Sequence, residues 1–318
     1  MTQRKLGIVM DSIESIKTYK DSSFAMLLEA QRRGWQLYYM QLQDLHMESG
    51  ISYAECQQIS VIDQPRDYFQ LQPQQTICLA DLDVILMRKD PPFDMEYIYA
   101  TYLLEQAEEN GVLVVNRPQS LRDCNEKLFT REFPQCCTPT RVARKASLIK
   151  QFLAQHQDII IKPLDGMGGK SIFRIREGDP NTNAIIEALT HYGSTQAMVQ
   201  KFIPQISAGD KRILLIDGVP VPYALARIPA IGENRGNLAA GASSQGQPLS
   251  ERDLWICQQI APTLRAKGLI FVGIDVIGDY LTEINITSPT CIRELDSQFK
   301  LNISHDLFEC IEQKLLAA

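Results

Sequence analysis

Residues 161–176 read IKPLDGMGGKSIFRIR, and the stretch GGKS at 168–171 looks like the end of a phosphate-binding P-loop. A P-loop needs a glycine five positions before the glycine that precedes its lysine, and this chain has Leu164 there. A P-loop also runs directly into a helix, whereas residues 171–176 alternate polar and apolar side chains as a strand does. The pattern therefore predicts a glycine-rich turn that joins two strands.

The sequence on both sides of this turn predicts an α+β lobe over residues 121–202. Its expected strands are antiparallel and carry helices on one face. The strands are expected at 140–143, 158–162, 171–175 and 197–202, and the helices at 121–130, 147–156 and 183–192.

Residues 1–120 predict an α/β domain with a parallel sheet. Asp21 is an N-cap candidate and Gly34 a stop for a helix that lies between strands 6–10 and 36–40. A strand, a helix and a second strand in this order indicate a parallel pair. Two further short strands are expected at 83–87 and 112–115, with a helix at 94–109 between them.

Residues 203–318 open with a hairpin around the two-residue turn Asp217-Gly218. That turn predicts that Arg212 lies opposite Tyr223, with Arg227 four residues further along the same face. Two guanidinium groups would then converge on one side of the sheet.

A glycine-rich stretch at 228–246 follows this hairpin, and we expect it to act as a lid because long structureless loops in compact domains are usually functional. The next helix is expected at 251–267. Pro262 lies inside it and predicts that the helix is kinked or divided.

A second hairpin, FVGIDVIGDYLTEIN at 271–285, carries three side chains with oxygen atoms in apolar surroundings. Glu283 and Asn285 share a face because they are two residues apart. Asp275 joins them if the turn has an odd count or a bulge, whereas a two-residue turn alone would put it on the opposite face. Because unpaired carboxylates are costly among apolar residues, we interpret the three as a Mg²⁺ site.

Two lysines add to this site. Lys162 precedes the glycine-rich turn, whose N–H groups could close over phosphate, and Lys127 lies on the preceding helical segment. Taken together, the lysines, the turn, the acidic hairpin and the arginines predict a nucleoside triphosphate site without a Walker motif.

Composition narrows the class of protein. The chain has 318 residues, enough for two or three domains, and its formal net charge of −6 argues against a nucleic-acid partner. No apolar run approaches the ~20 residues that a membrane span needs. The eight cysteines have no CxxC spacing, so neither a zinc site nor a disulfide framework is indicated. We expect a cytoplasmic protein that acts on small molecules, with no nucleic-acid or membrane partner.

Several motifs together resemble the bacterial glutathione synthetases, which are ATP-grasp ligases. The resemblance covers essentially the whole chain. The motifs are KDSS at 20–23, RKDPPFD at 88–94, CNEKL at 124–128, KPLDGMGG at 162–169, GNLAAG at 236–241 and EINITSPT at 283–290. It implies an ATP-grasp fold, with a Rossmann-like first domain (1–120), a central lobe (121–202) and a catalytic lobe (203–318) that clamps ATP against the central one.

The resemblance implies ATP-dependent ligation of γ-glutamylcysteine with glycine through an acyl phosphate, with Mg²⁺ or Mn²⁺ as the metal. It also implies a homo-oligomer, a tetramer in that family. The residues it implies for ATP are Lys127, Lys162, Gly166, Met167, Gly168, Gly169, Gln200, Lys201, Phe202, Ile203 and Asp210. The residues it implies for the metal are Asp275, Glu283 and Asn285, and those it implies for catalysis are Arg212 and Arg227. The residues it implies for substrate binding are Arg235, Asn237, Gly241, Ser288, Pro289 and Thr290.

The chain departs from the expected family pattern in two places. Lys170 stands where a small residue is expected, and the lid continues as ASSQ at 242–245 instead of a glycine-rich basic sequence. Two alternative functions stay open from the residues alone. One is another ATP-grasp carboxylate–amine ligase, and the other is an ATP-binding regulatory module without catalysis.

Overall fold

A computed structural model describes residues 3–166, 168–230 and 243–317 of the chain. Residues 231–242 hold much of the expected lid together with Arg235, Asn237 and Gly241, so these predictions lie outside the described residues, as does Met167. Within the described ranges, no helix combines the length and the apolar character that crossing a membrane requires.

The first domain is built on a seven-stranded mixed sheet. Its strands β1, β2, β6 and β7 run parallel, which confirms the four predicted strands. The elements are β1 (Lys5–Val9), α1 (Ser22–Arg32), β2 (Gln36–Met40), β3 (Leu45–Glu48), β4 (Ile51–Val61), β5 (Phe69–Cys78), β6 (Val84–Met87), α2 (Met95–Glu109), β7 (Leu113–Val115) and α3 (Pro118–Asp123).

Three strands of this sheet, β3, β4 and β5, run antiparallel and were not predicted from the sequence. The inward positions of β4 include Ser52, Ala54 and Cys56, which are small or polar. Because a strand is predicted from alternating large apolar residues, such a strand gives a weak signal.

The expected helix at 121–130 is wrong. The chain forms the short α3, then an irregular stretch, then a separate 3₁₀ turn at Leu128–Glu132. The side chain of Asn125 accepts hydrogen bonds from the backbone N–H groups of Lys127 and Leu128, at 3.1 and 2.9 Å. This local bonding competes with helical bonding and starts a new turn.

The central lobe is a four-stranded antiparallel sheet, as predicted. Its elements are β8 (Thr140–Ala143), α4 (Ala146–His156), β9 (Asp158–Pro163), β10 (Phe173–Arg176), α5 (Thr182–Thr190) and β11 (Ala197–Lys201). The glycine-rich turn connects β9 to β10, which pair with Ile161 opposite Phe173. The P-loop alternative is therefore excluded by the fold.

The catalytic lobe is a five-stranded antiparallel sheet flanked by helices. Its elements are β12 (Asp210–Ile216), β13 (Val219–Ile228), β14 (Ser243–Pro248), α6 (Glu251–Ala266), β15 (Phe271–Ile277), β16 (Tyr280–Asn285), α7 (Ile292–Phe299) and α8 (Ile303–Ala317). Helix α6 continues through Pro262, so of the two predicted outcomes, a kink or a division, the division is wrong. The last residues of the expected lid, 243–246, belong to β14 and pair with β13.

The first domain and the catalytic lobe share their hydrophobic cores, whereas the central lobe has its own. One shared core joins Val9 of β1 to Ile213 of β12, and the other joins Phe24 of α1 to Leu214 of the same strand. The core of the central lobe consists of its own strands and of helices α4 and α5. The first domain and the catalytic lobe are thus one packed unit.

The side chain of Asn116 joins the first domain to the catalytic lobe through hydrogen bonds. Its side-chain amide donates to the carbonyl oxygens of Phe271 and Ile286, at 2.8 and 2.6 Å, and its oxygen accepts from the N–H of Phe271 at 2.9 Å. The residue follows β7 and is buried. One first-domain side chain therefore completes the backbone bonding of β15.

We predict that Asn116→Ala lowers the free energy of unfolding by about 3 kcal/mol, because it leaves buried backbone groups without partners. Urea unfolding at pH 7 measures the loss. The matched control is Asn183→Ala on the exposed side of α5, which we expect to change stability by less than about 0.5 kcal/mol. Equal losses in the two variants would contradict the bridging role.

Candidate active site

Two arginines of the catalytic lobe converge as predicted, but in a different register. A bulge between Ile213 and Leu215 shifts the pairing by two residues, so Arg212 lies opposite Leu225 and Arg227 opposite Asp210. The predicted pairing of Arg212 with Tyr223 is therefore wrong. Because the shift is even, the two arginines still share a face.

In the acidic hairpin, Asp275 and Glu283 share a face as expected, but a bulge brings them together rather than a turn with an odd number of residues. Its turn is the two-residue Gly278-Asp279, with Ile277 opposite Tyr280, which alone would turn Asp275 away from Glu283. A bulge at Thr282 corrects this and sets Asp275 opposite Glu283. The Thr282 hydroxyl donates to the Asp275 carbonyl oxygen at 3.1 Å and so fixes the bulge.

The carboxylate of Asp275 holds both arginines. Oδ1 accepts from Arg212 Nε at 2.6 Å, and Oδ2 lies 3.0 Å from Arg227 Nη2. Asn285 Nδ2 lies 3.4 Å from the same Oδ2 atom. Burial works against a charged Asp275, but the two arginines outweigh it and hold the pKa of this carboxyl well below its usual range.

Asp210 is the second acidic partner of Arg227, with 2.6 Å between Oδ2 and Nη2. Its other oxygen, Oδ1, is buried and has no hydrogen-bond partner among the described residues. Burial raises the pKa of Asp210 to about 7, against the attraction of Arg227. An acceptor of this kind at the wall of a cleft is suited to a hydroxyl group of a ligand.

Lys127 and Lys162 meet at Glu283, although they come from different elements. Their Nζ atoms lie 3.9 and 3.3 Å from Glu283 Oε1, and both side chains are buried. Lys127 also contacts Glu126 and donates to the carbonyl oxygen of Gly166 at 3.0 Å. Burial opposes the charge of Lys127, but Glu283 and Glu126 outweigh it and raise its pKa.

The glycine-rich turn approaches these lysines. Gly166, Gly168 and Gly169 have φ values of 98°, 70° and 76°, a region that side chains with a Cβ rarely enter. Lys170 is exposed and borders the same cleft. The positive φ values explain why glycine occupies positions 166, 168 and 169 of this turn.

The expected adenine segment, residues 200–203, lines the cleft on the other side. Two of its N–H groups are already used within the protein: that of Lys201 donates to Pro139 at 3.0 Å, and that of Phe202 to Asp158 at 3.0 Å. An adenine ring would therefore need other backbone groups of this segment.

The cleft between the central and catalytic lobes encloses about 860 Å³, counting space open to solvent. It brings together twelve of the predicted residues, namely Lys127, Lys162, Gly166, Gly168, Gly169, Gln200, Lys201, Phe202, Ile203, Asp210, Asp275 and Glu283. Arg212, Arg227 and Asn285 are joined to it through their contacts with Asp275.

Ser288, Pro289 and Thr290 lie beyond this hairpin, where the catalytic lobe meets the first domain. Ser288 Oγ donates to Asp90 Oδ1 at 2.6 Å, and the carbonyl oxygen of Pro289 accepts from Arg88. Pro289 also packs against Gly273, where an added Cβ would lie 2.8 Å from the Pro289 Cβ.

Sequence reasoning passed over Glu126 and the bulge residue Thr282. Glu126 is adjacent to Lys127 in the CNEKL motif and contacts it, and its carbonyl oxygen accepts from the N–H of Ile284 at 2.8 Å. Burial, together with the nearby charge of Glu283, raises the pKa of Glu126. Its position beside a lysine in a motif was the available signal.

The donor set of the hairpin fits a hard divalent cation. Asp275 and Glu283 supply carboxylate oxygens, and Asn285 supplies an amide oxygen, which are the ligand types that Mg²⁺ and Mn²⁺ take. Asp275 is shared with two arginines, whereas Glu283 borders the cleft between two lysines. The arrangement can therefore hold a cation beside an anionic ligand.

Comparisons with known proteins agree with this architecture. Residues 5–122 match the family model of the prokaryotic glutathione synthetase N-terminal domain, and residues 126–300 match that of its ATP-grasp domain. Among solved structures, D-cycloserine synthetase DcsG superposes with a TM-score of 0.68 at 14% identity, covering 98% of this chain and 99% of that one. D-alanyl-alanine synthetase A from Vibrio cholerae superposes with a TM-score of 0.60 at 13% identity, and the match covers 99% of this chain and 99% of that one. These two likenesses show the ATP-grasp fold.

Curated relatives are much closer in sequence. Glutathione synthetase from Vibrio vulnificus is 61% identical over 313 residues, covering 98% of this chain and 99% of the relative. Glutathione synthetase from Pseudomonas putida is also 61% identical over 313 residues, with the same coverage. The chain belongs to the prokaryotic glutathione synthetase family.

Proposed function

We propose that this protein joins γ-glutamylcysteine to glycine at the expense of ATP, releasing glutathione, ADP and phosphate. The identity of 61% over 98% of the chain to curated glutathione synthetases carries the assignment. The gathering of the predicted lysines, acidic residues and glycine-rich turn in one cleft supports it. Use of ATP and of a divalent metal follows from the family.

The reaction needs an activated carboxylate because a free one is a poor acyl donor. The cysteinyl carboxylate of γ-glutamylcysteine takes the terminal phosphoryl group from ATP, and the bond from that phosphorus to the ADP oxygen breaks. The amine of glycine then attacks the acyl carbon, loses a proton and displaces phosphate. The protein has to bind two anions, position an amine and keep water away.

The cleft supplies groups for each of these tasks. We assign Lys127, Lys162 and the turn at 166–169 to the phosphates, residues 200–203 to adenine, and the unpartnered oxygen of Asp210 to a ribose hydroxyl. Lysines neutralise charge on a transferring phosphoryl group, and glycine N–H groups can wrap it.

We assign the metal to Glu283, Asn285 and Asp275, and propose Mg²⁺ as the natural ion, with Mn²⁺ able to replace it. A bound divalent cation would neutralise charge on the phosphates. Glu283 lies 3.3 Å from Lys162, so it couples the metal site to a phosphate-binding lysine.

The substrate side is assigned to Arg212 and Arg227, with Ser288, Pro289 and Thr290. Asp275 fixes both guanidinium groups, and such fixed donors can stabilise the oxyanion that develops during amine attack. The predicted roles of Met167, Arg235, Asn237 and Gly241 remain predictions, as do a homotetrameric assembly and a cytoplasmic location.

A substrate panel tests the assignment. We expect phosphate release from ATP to require γ-glutamylcysteine and glutathione formation to require glycine as well, because each substrate enters a different step. Phosphate release and product formation are measured on the purified protein. D-alanine and other amino-acid pairs serve as controls, and equal turnover with them would point to a different carboxylate–amine ligase.

Replacing one metal ligand tests the metal assignment. We expect Glu283→Gln to lower Mg²⁺-dependent turnover by about 100-fold or more, and to weaken Mn²⁺ binding in the presence of ADP, because an amide lacks the carboxylate charge. Turnover and calorimetric titration with Mn²⁺ provide the two measurements.

Asp279→Asn is the matched control, since Asp279 is exposed at the turn of the same hairpin. It should leave turnover and Mn²⁺ binding unchanged. A Glu283→Gln protein that binds Mn²⁺ as well as this control would remove Glu283 from the metal site.

A further inference from the structure

Two sequence motifs of the first domain, KDSS at 20–23 and RKDPPFD at 88–94, have no role in the nucleotide cleft. Both contact the same segment of the catalytic lobe, residues 288–292, which we call the substrate loop. The first motif forms the start of α1, and the second follows β6.

Arg88 is the most buried cation of these motifs, with 6% of its surface exposed. Its Nε donates to Ser23 Oγ at 3.0 Å, and its Nη2 donates to the carbonyl oxygen of Pro289 at 2.9 Å. One guanidinium group therefore bridges the first turn of α1 and the substrate loop.

Arg88 does not line the cleft between the central and catalytic lobes. Its third nitrogen, Nη1, is fully buried and has no partner among the described residues. The small cavity beside the side chain is lined mainly by apolar residues, including Met26, Leu86 and Leu307. Its hydrogen bonds to Ser23 and Pro289 therefore connect Arg88 to the substrate loop.

The substrate loop has two further ties to the first domain. Ser288 Oγ donates to Asp90 Oδ1 at 2.6 Å, and the backbone N–H of Ile292 donates to Ser22 Oγ at 3.3 Å. Between these ties, Cys291 has a φ of 92°, which a residue with a side chain adopts only when its surroundings impose it. The first domain thus holds both ends of the loop.

The loop in turn constrains a predicted catalytic residue. A Cβ at Gly273 would lie 2.8 Å from Pro289 Cβ and 3.0 Å from Arg212 Cδ. Pro289 and Arg212 therefore both pack onto the bare backbone of β15 at this glycine. A shift of Pro289 would loosen the packing that keeps Arg212 beside Asp275.

We propose that Arg88 is a positioning residue for the dipeptide substrate: by holding the Pro289 carbonyl it fixes the substrate loop and, through Gly273, the side chain of Arg212. This inference rests on the proposed function, in which the loop and Arg212 bind γ-glutamylcysteine. The nucleotide-binding residues of the central lobe lie outside this chain of contacts.

Arg88→Lys tests the role because it keeps the positive charge but replaces the planar guanidinium group. A lysine ammonium group cannot donate to Ser23 Oγ and to the Pro289 carbonyl oxygen with the same geometry. We expect the KM for γ-glutamylcysteine to rise by about tenfold or more, since small displacements of positioning groups are costly. We expect the KM for ATP to rise less than that for γ-glutamylcysteine, because Lys127, Lys162 and residues 200–203 lie outside this chain of contacts and only Asp275, at its end, borders the proposed metal site. Calorimetric titration with γ-glutamylcysteine in the absence of ATP should show the same weakening.

Arg33→Lys is the matched control. Arg33 is partly buried and donates to Glu29 and Glu312, both at 2.7 Å, but its bonds join the end of α1 to α8 and avoid the substrate loop. We expect this variant to lose thermal stability without a change in either KM. An Arg88→Lys protein with the same profile as Arg33→Lys would overturn the proposal.

Asp90→Ala provides a second test if Arg88→Lys folds poorly. Asp90 is exposed, so its loss should leave the fold intact while it releases Ser288. We expect a smaller rise, of about threefold, in the KM for γ-glutamylcysteine alone, and an unchanged value would count against the proposal. A wild-type protein that fails to use γ-glutamylcysteine and glycine would refute the proposed function instead.

Discussion

The buried carboxylate of Asp275 is the charge on which the catalytic lobe depends. It lies on β15 and accepts hydrogen bonds from Arg212 on β12 and Arg227 on β13, so one side chain fixes three neighbouring strands. Burying a single arginine would be costly, and burying two is possible because Asp275 and Asp210 compensate them. Removing any one of these two arginines and two aspartates would therefore leave a buried charge without compensation.

The sequence predicted the fold well where a physical signal was local. The turn at 166–169 was predicted as a link between strands from the alternation that follows it, and β9 and β10 confirm this. The helix at 121–130 was wrong because the side chain of Asn125 satisfies nearby backbone groups and so ends helical bonding. A single polar residue thus overrode an otherwise helical pattern.

The site was predictable in its residue types but not in its register. The irregularity between β12 and β13 lies on β13, where residues 221–223 face a single residue of β12, and Pro222 lies within it. Proline in a strand marks an edge or a bulge but does not give the size of the shift. The bulge at Thr282 leaves no comparable mark in the sequence. The first of these irregularities moves Arg212 by two positions along its partner, which preserves the face. The second moves Asp275 to the face of Glu283, and without it the two carboxylates would not meet.

The separate core of the central lobe has a consequence for how such enzymes diversify. In this core the apolar side chains of β8 to β11 pack with those of α4 and α5, whereas the residues proposed to bind the dipeptide rest on a core that runs from the first domain into the catalytic lobe. Substitutions within the core of the central lobe therefore do not repack the residues proposed to bind the dipeptide. A change in those residues, by contrast, has to be accommodated by the first domain and the catalytic lobe at once, because their apolar side chains share the same cores.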